Sequence, residues 1–188
     1  MQSIELTGSA RANLGKTATK QLRTEEMVPC VLYGTSGNIH FASPAKEFRH
    51  LVLTPNVYLV NLNIDGKVHT AVMQDIQYHP VSDEILHVDF LSITQDKAIT
   101  MEIPVVLNGF AEGVKAGGKL QLEIRKLRVK ALPKNLPDTL DIKIDTLGLG
   151  KTIQVKDLNY DNMEIMNAKN AVVVSVKLTR AARAAQGK

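Results

Sequence analysis

The chain has one cysteine (Cys30), no tryptophan, and four tyrosines and four phenylalanines in 188 residues. A lone cysteine excludes an intrachain disulfide and any zinc site built on cysteines, and a reducing compartment is the simplest setting. No uninterrupted apolar run approaches the roughly 18 residues that cross a bilayer. The opening MQSIELTGSARAN lacks the charged start and apolar run of a secretory signal. The expectation is a soluble, cytoplasmic protein with no membrane partner. Nucleotide-binding loops are also missing. The stretch from Gly113 to Lys119 has the spacing of such a loop up to its lysine. However, Leu120 stands where Ser or Thr should hold magnesium, and a strand follows where a helix is needed. It reads instead as a glycine-rich hairpin loop. Gly148-Leu149-Gly150-Lys151-Thr152 lacks the first glycine at the required distance and fails too.

The charge is uneven. Residues 1–92 carry seven Lys or Arg against nine Asp or Glu, and residues 93–188 carry sixteen against ten, so the net +4 combines about −2 with +6. All five histidines (His40, His50, His69, His79 and His87) lie in the first half. The length suits two modest domains, and these contrasts place their boundary near residues 92–97. The expected organisation is a first domain over 1–93, a second over 94–180, and a basic tail over 181–188, expected to be disordered.

Within the first domain, Ile4 and Leu6 alternate with polar neighbours, which predicts a strand over 2–10. Arg11, Lys16, Lys20 and Arg23 follow with no acid among them until Glu25. Lys16, Lys20 and Arg23 share one face if the segment is helical, with Ala18 and Leu22 as its buried stripe. Gly15 at the entry gives the backbone freedom to approach a phosphate. Such charges can be merely a solvated helix face, but a patch kept positive in an otherwise acidic domain points to an anionic partner. Residues 28–34 read as a buried strand closed by Tyr33, whose ring either stacks on a base or packs at a core edge, its position favouring packing. Ser43-Pro44 ahead of Ala45, Phe48, Leu51 and Val52 predicts a helix with Ser43 as N-cap and Pro44 first, stopped by Pro55. Tyr58, Val60, Leu62 and Ile64 alternate into Asp65-Gly66, a two-residue hairpin turn.

The stretch from Gln74 to Phe90, QDIQYHPVSDEILHVDF, is the most informative. Leu86, Val88 and Phe90 fall on one strand face, His87 and Asp89 on the other. Gln74, Asp75 and Gln77 end the preceding run, and Tyr78-His79-Pro80 with Ser82-Asp83 supplies the turn. One face packs, and the other presents donors and acceptors. The second half shows strand patterns over 99–107, 120–131, 140–144, 153–155 and 171–178 with no long amphipathic helix, which is an all-β texture. A parity change within 120–131 predicts a bulge or bend near Arg125 and Lys126. The fold class expected is thus an N-terminal antiparallel β-barrel with about two helices (α+β), followed by a β-rich domain.

Only His87 and Asp89, with His79 and Asp83 nearby, offer a foothold for catalysis or metal binding. No nucleophile motif accompanies them. The same residue types hydrogen-bond base edges and ribose 2′-hydroxyls in a shallow RNA minor groove while lysines and arginines fix the backbone. That use, unlike a metal site, needs the adjacent basic patch.

Taken in order, R-x-x-x-G-K-x-A-x-x-x-L-R from Arg11 to Arg23, VPCVLYG, QDIQYHP and HVDF resemble the 5S rRNA-binding proteins of the bacterial large ribosomal subunit, twenty-fifth in that series. IPVVLNGFAEGVKAGG, LRVKALPKNLPDTLDIKID and the 147–158 segment resemble the added β domain of that family's long form, general stress protein CTC. The resemblance covers nearly the whole chain. It implies a partly closed barrel with helices, a β-rich second domain, no catalysis, no cofactor and no metal. Its implied target is an irregular internal loop of 5S rRNA, entered through a widened minor groove. Arg11, Lys16, Lys20 and Arg23 would contact phosphates, Tyr33, Gln74 and Gln77 would line the groove, and His87 and Asp89 would reach sugars or bases. Tyr78 and His79 complete the RNA-binding set. Thr17 replaces a frequent glycine, Gln21 a common basic residue, and Tyr78 a frequent arginine, where a ring offers stacking instead of an ion pair. Further partners implied are neighbouring ribosomal proteins through the second domain, with a monomer off the ribosome. A protein-protein adaptor or stress factor working through that second domain is the alternative.

Overall fold

Strand β1 (Gln2–Ala10) turns Ile4 and Leu6 inward, as their alternation dictates. The computed structural model describes residues 2–34, 37–94, 96–180 and 182, and it divides the chain into two units, Met1–Lys97 and Ala98–Lys188. In the first unit, β1 is followed by helix α1 (Lys16–Thr24), β2 (Met27–Tyr33), β3 (Ile39–Pro44), a 3-10 turn (Ala45–Phe48), α2 (Arg49–Leu53), β4 (Tyr58–Ile64), β5 (Lys67–Tyr78) and β6 (Ile85–Ser92). The strands close into a barrel in the order β1-β3-β2-β6-β5-β4. Closure gives every strand of this unit two neighbours.

The purely antiparallel barrel expected from the sequence needs one correction. The β2–β6 and β1–β4 seams are parallel, and the other four pairings are antiparallel. Alternation along a strand reports which face is buried, not which neighbour it pairs with. The β4–β5 connection forms as its residues require: Asp65 and Gly66 take φ of 48° and 84°, the left-handed pair that a tight two-residue hairpin needs. Phe90 centres the core, with ring centroids 5.8 Å from Phe41 and 6.4 Å from Phe48. Each of these three buried rings contributes roughly 2–3 kcal/mol of hydrophobic stabilisation. Gly8 is forced by the same packing, since a Cβ there would lie 2.6 Å from Phe41 Cδ2.

The helix predicted after Ser43 is displaced. Ser43 and Pro44 end β3, Ser43 is fully buried with a hydroxyl that has no partner among the described residues instead of capping a helix, and the helical path starts only at Ala45. Residues 39–44 carry too short an apolar run to separate from the helical pattern that follows.

The second unit holds β7 (Ile99–Asn108), a short helix α3 (Glu112–Lys115), β8 (Lys119–Leu122), β9 (Lys126–Ala131), β10 (Leu140–Lys143), β11 (Thr152–Gln154), β12 (Met163–Ile165) and β13 (Val172–Lys177). Its two sheets have the orders β10-β7-β9-β12 and β11-β13-β8. The glycine-rich segment is therefore not a hairpin loop. It contains α3 and carries the chain from one sheet to the other, where Gly113 lies so near Gly148 that a Cβ would meet its carbonyl carbon at 2.6 Å. The bend expected near Arg125 is larger than a bulge, because β8 and β9 belong to different sheets. Strand β12 carries too few residues to register as alternation. The expected disorder of 181–188 concerns residues that, except for Ala182, lie outside the described set.

Candidate nucleic-acid interface

The outward face of the β5–β6 hairpin concentrates the polar residues singled out by sequence. Register sets Gln77 opposite His87 and Asp75 opposite Asp89. Within β6, His87 Nδ1 lies 2.8 Å from Asp89 Oδ1, each side chain about 30% exposed. That bond orients the imidazole and leaves Nε2 as its free ring nitrogen. Behind this row, Val88 and Phe90 are fully buried, which fixes the face His87 and Asp89 occupy.

Two bulges shape the hairpin. Between Met73 and Asp75 the register slips by one, so Met73 and Ile76 both pack on the core while Gln74, Asp75 and Gln77 stay exposed. A second slip between Gln77 and Tyr78 lets Ile85 pack on the core and displaces Leu86, which strict alternation had placed beside Val88. The Leu86 carbonyl accepts from Arg23 Nε at 3.3 Å and Nη2 at 2.9 Å. This charge-assisted pair ties α1 to β6. Above the first β2–β6 partners, Cys30 and Val88, the strands pair; below them they separate around a cleft of about 260 Å³ bordered by Arg23, Met27, Val28, Ile85 and Leu86.

Tyr33 ends β2, half-buried and outside the core cluster. Burial raises its phenol pKa above the ordinary value, and the charges of Asp89 and Asp75 raise it further, which places the ring beside the carboxylate row. Arg11 follows β1, with its backbone N–H donating to the His40 carbonyl at 2.9 Å and Nη2 to Asn13 O at 3.3 Å. Its Nε is buried without a partner among the described residues, a cost of roughly 1–3 kcal/mol carried by the folded chain. Burial drives the Cys30 thiol pKa far up, against a lowering by Arg11, and the thiol is inert.

The other predicted residues lie outside this row. Lys16 and Lys20 are exposed on α1, whose Ala18 and Leu22 are only half-buried. His79 lies in the β5–β6 connection, where Nδ1 accepts the backbone N–H groups of Val81 (3.3 Å) and Ser82 (3.1 Å). Its ring holds the turn. Tyr78, at the end of β5, is 43% exposed. Asp75, read from sequence only as part of the polar end of its run, joins the outer row through the bulge, and His40, which sequence reasoning missed, joins by pairing with Val31, itself paired to Asp89. Cross-strand register was the missing information. Among the described residues no three His, Cys, Asp or Glu side chains converge as a metal site.

The arrangement is suited to recognition: a fixed row of carboxylate, imidazole and amide groups, a tyrosine at its end, and exposed cations on the adjacent helix. Residues 6–90 match the model of the Ribosomal L25p family, and residues 98–180 match that of the ribosomal protein TL5, C-terminal domain. A closed barrel and a second β unit, each matched by a ribosomal-protein model, define a two-domain ribosomal protein and not an enzyme. The chain belongs to the ribosomal L25p family. It is 53% identical over 98% of its length to the "Large ribosomal subunit protein bL25" of Phocaeicola vulgatus, covering 97% of that protein. It is 51% identical to the protein of the same name from Porphyromonas gingivalis (98% and 97% covered) and 51% identical to that from Parabacteroides distasonis, each covered in full.

Proposed function

We propose that this protein is a structural constituent of the large ribosomal subunit and that its first unit binds 5S rRNA. The observation that carries the RNA reading is the Asp75–Asp89 pair directly opposed on the hairpin, with Asp89 bonded to His87 and Gln77 opposite His87. Two adjacent carboxylates repel phosphates, so the row meets donors: ribose 2′-hydroxyls and the amino groups of bases in an open minor groove. Arg11, Lys16, Lys20 and the unengaged N–H groups of Arg23 flank it and take the phosphates. Tyr33, Gln74, Tyr78 and His79 extend the same surface at its ends. Off the ribosome the protein is a monomer, and within the subunit neighbouring ribosomal proteins are reached through the second unit.

Binding of the intact protein to 5S rRNA across a salt series, with an unrelated structured RNA as competitor, tests this. Affinity should fall steeply with salt and resist the competitor. Asp89→Asn should abolish the preference for 5S rRNA, and Lys20→Ala should reduce the salt slope by about 0.7–0.9. Equal, weak affinity for both RNAs would overturn the reading.

A further inference from the structure

The second unit carries a surface that the barrel site does not use. In β9, KLRVKA, the inward residues Leu127, Val129 and Ala131 are buried and every outward position is a cation: Lys126, Arg128 and Lys130, all exposed. Leu127 and Val129 are completely buried, so the strand cannot slip and the three cations are held on one face. Their spacing along the strand is about 6.7 Å, close to that of successive phosphates in a nucleic-acid strand.

Lysine is disfavoured in strands, and its common structural use is to guard exposed edges against pairing. That explanation fails for Arg128 and Lys130, where β9 is covered on both sides; only at Lys126 does the side away from β7 meet no strand among the described residues. The edge strand β10 carries one acid and one base on its exposed positions, Asp141 and Lys143, and β12 carries Glu164. Arg128 and Lys130 stand where an edge guard has no purpose, and Lys126 continues their row. Counter-charges are few. Glu102 of β7 pairs with Arg128 at 3.0 Å, and Glu164 lies opposite Lys130 without an ion pair, while Lys126 faces Pro104. Among the described residues, Lys126 and Lys130 make no salt bridge. Arg125 precedes the row and Lys134 follows it, both exposed.

We infer that the outward face of β9 is a second RNA-binding surface, which follows a phosphate backbone without reading sequence. The row is linear, evenly spaced and free of aromatic or amide groups, so it suits a repeating anion better than the irregular charges of an acidic protein.

The probe is an RNA duplex of about 30 base pairs with no 5S sequence, titrated with the full chain at several salt concentrations. K126Q/K130Q, which keeps the Arg128–Glu102 pair, should lower the slope of log affinity against log salt by about 2, at roughly 0.9 per phosphate contact. K126R/K130R should restore it. K151Q/K169Q, which removes the same charge from exposed lysines elsewhere, should lower it by much less. Unchanged melting temperatures would show that all variants fold. A slope unaffected by K126Q/K130Q, or lowered equally by K151Q/K169Q, would overturn the inference. So would a loss of binding to a poly-glutamate peptide with duplex binding intact, since the face would then meet an acidic protein. K126Q/K130Q should leave the preference for 5S rRNA over a competitor unchanged, which separates failure here from failure of the barrel reading.

Discussion

Arg23 illustrates how a residue predicted as a phosphate contact can also hold the scaffold. Lys20 and Arg23 share a helical face by spacing, but only Arg23 donates twice to the Leu86 carbonyl. Arg23→Ala should therefore lower stability by about 1 kcal/mol, modest because the group is exposed. Lys20→Ala should leave it unchanged; chemical denaturation of both variants checks the contrast. The resolved pKa shifts give a second expectation. The Cys30 thiol and the phenols of Tyr33, Tyr78 and Tyr160 are all raised, chiefly by burial, from ordinary values of 9.0 and 10.0. A raised folded-state pKa means that the stability is intact below the ordinary value and lost as pH rises above it. Melting temperature should hold up to about pH 9 and then fall through the tyrosine range, and Cys30→Ala should flatten the first part of that fall. A profile flat to pH 11 would contradict it. The residue types of this site were legible in the sequence, because His87, Asp89 and the cations have no core role to play. The Arg23–Leu86 bond was not, since it depends on a bulge that frees a carbonyl 63 positions away.

At the level of elements, the β5–β6 hairpin is organised by the extra residue at Gln74. Met73 faces Phe90 and Asp75 faces Asp89, so removing Gln74 would heal the ladder without disturbing either pairing. Deletion of Gln74 should therefore preserve the fold, as read by circular dichroism and melting. It should nonetheless reduce preference for 5S rRNA, since the local twist that aims Asp75 and Gln77 is lost with the side chain. A folded deletion variant with full selectivity would show that the bulge has no part in recognition. Strand alternation and the Asp65-Gly66 turn made this hairpin readable from sequence. The parallel β2–β6 and β1–β4 seams were not, because neither side-chain period nor turn chemistry encodes which distant strand is the neighbour. Ser43 was misread for a related reason: a polar residue before proline and a helical stretch is a cap signal, yet here the barrel required it in a buried strand.

For the molecule as a whole, the contrast in charge between the halves corresponds to two surfaces with different physics. The barrel, slightly acidic overall, places a few cations beside the carboxylates and amides whose proposed role is to discriminate among RNA groups. The second unit, strongly basic, presents in β9 a row that can only neutralise. Selectivity and salt dependence should then separate when the chain is divided. A fragment of residues 1–97 keeps a closed barrel and its own aromatic core, so it should fold and retain its preference for 5S rRNA over a competitor. Its salt slope on an unrelated duplex should fall below that of the full chain by about 2–3, the number of β9 cations times roughly 0.9 each. Titrations of fragment and full chain against both RNAs, at matched salt, read the two quantities together. If the fragment lost selectivity while the slope stayed the same, recognition would depend on the second unit, and the barrel's polar row would be no more than a solvated sheet face.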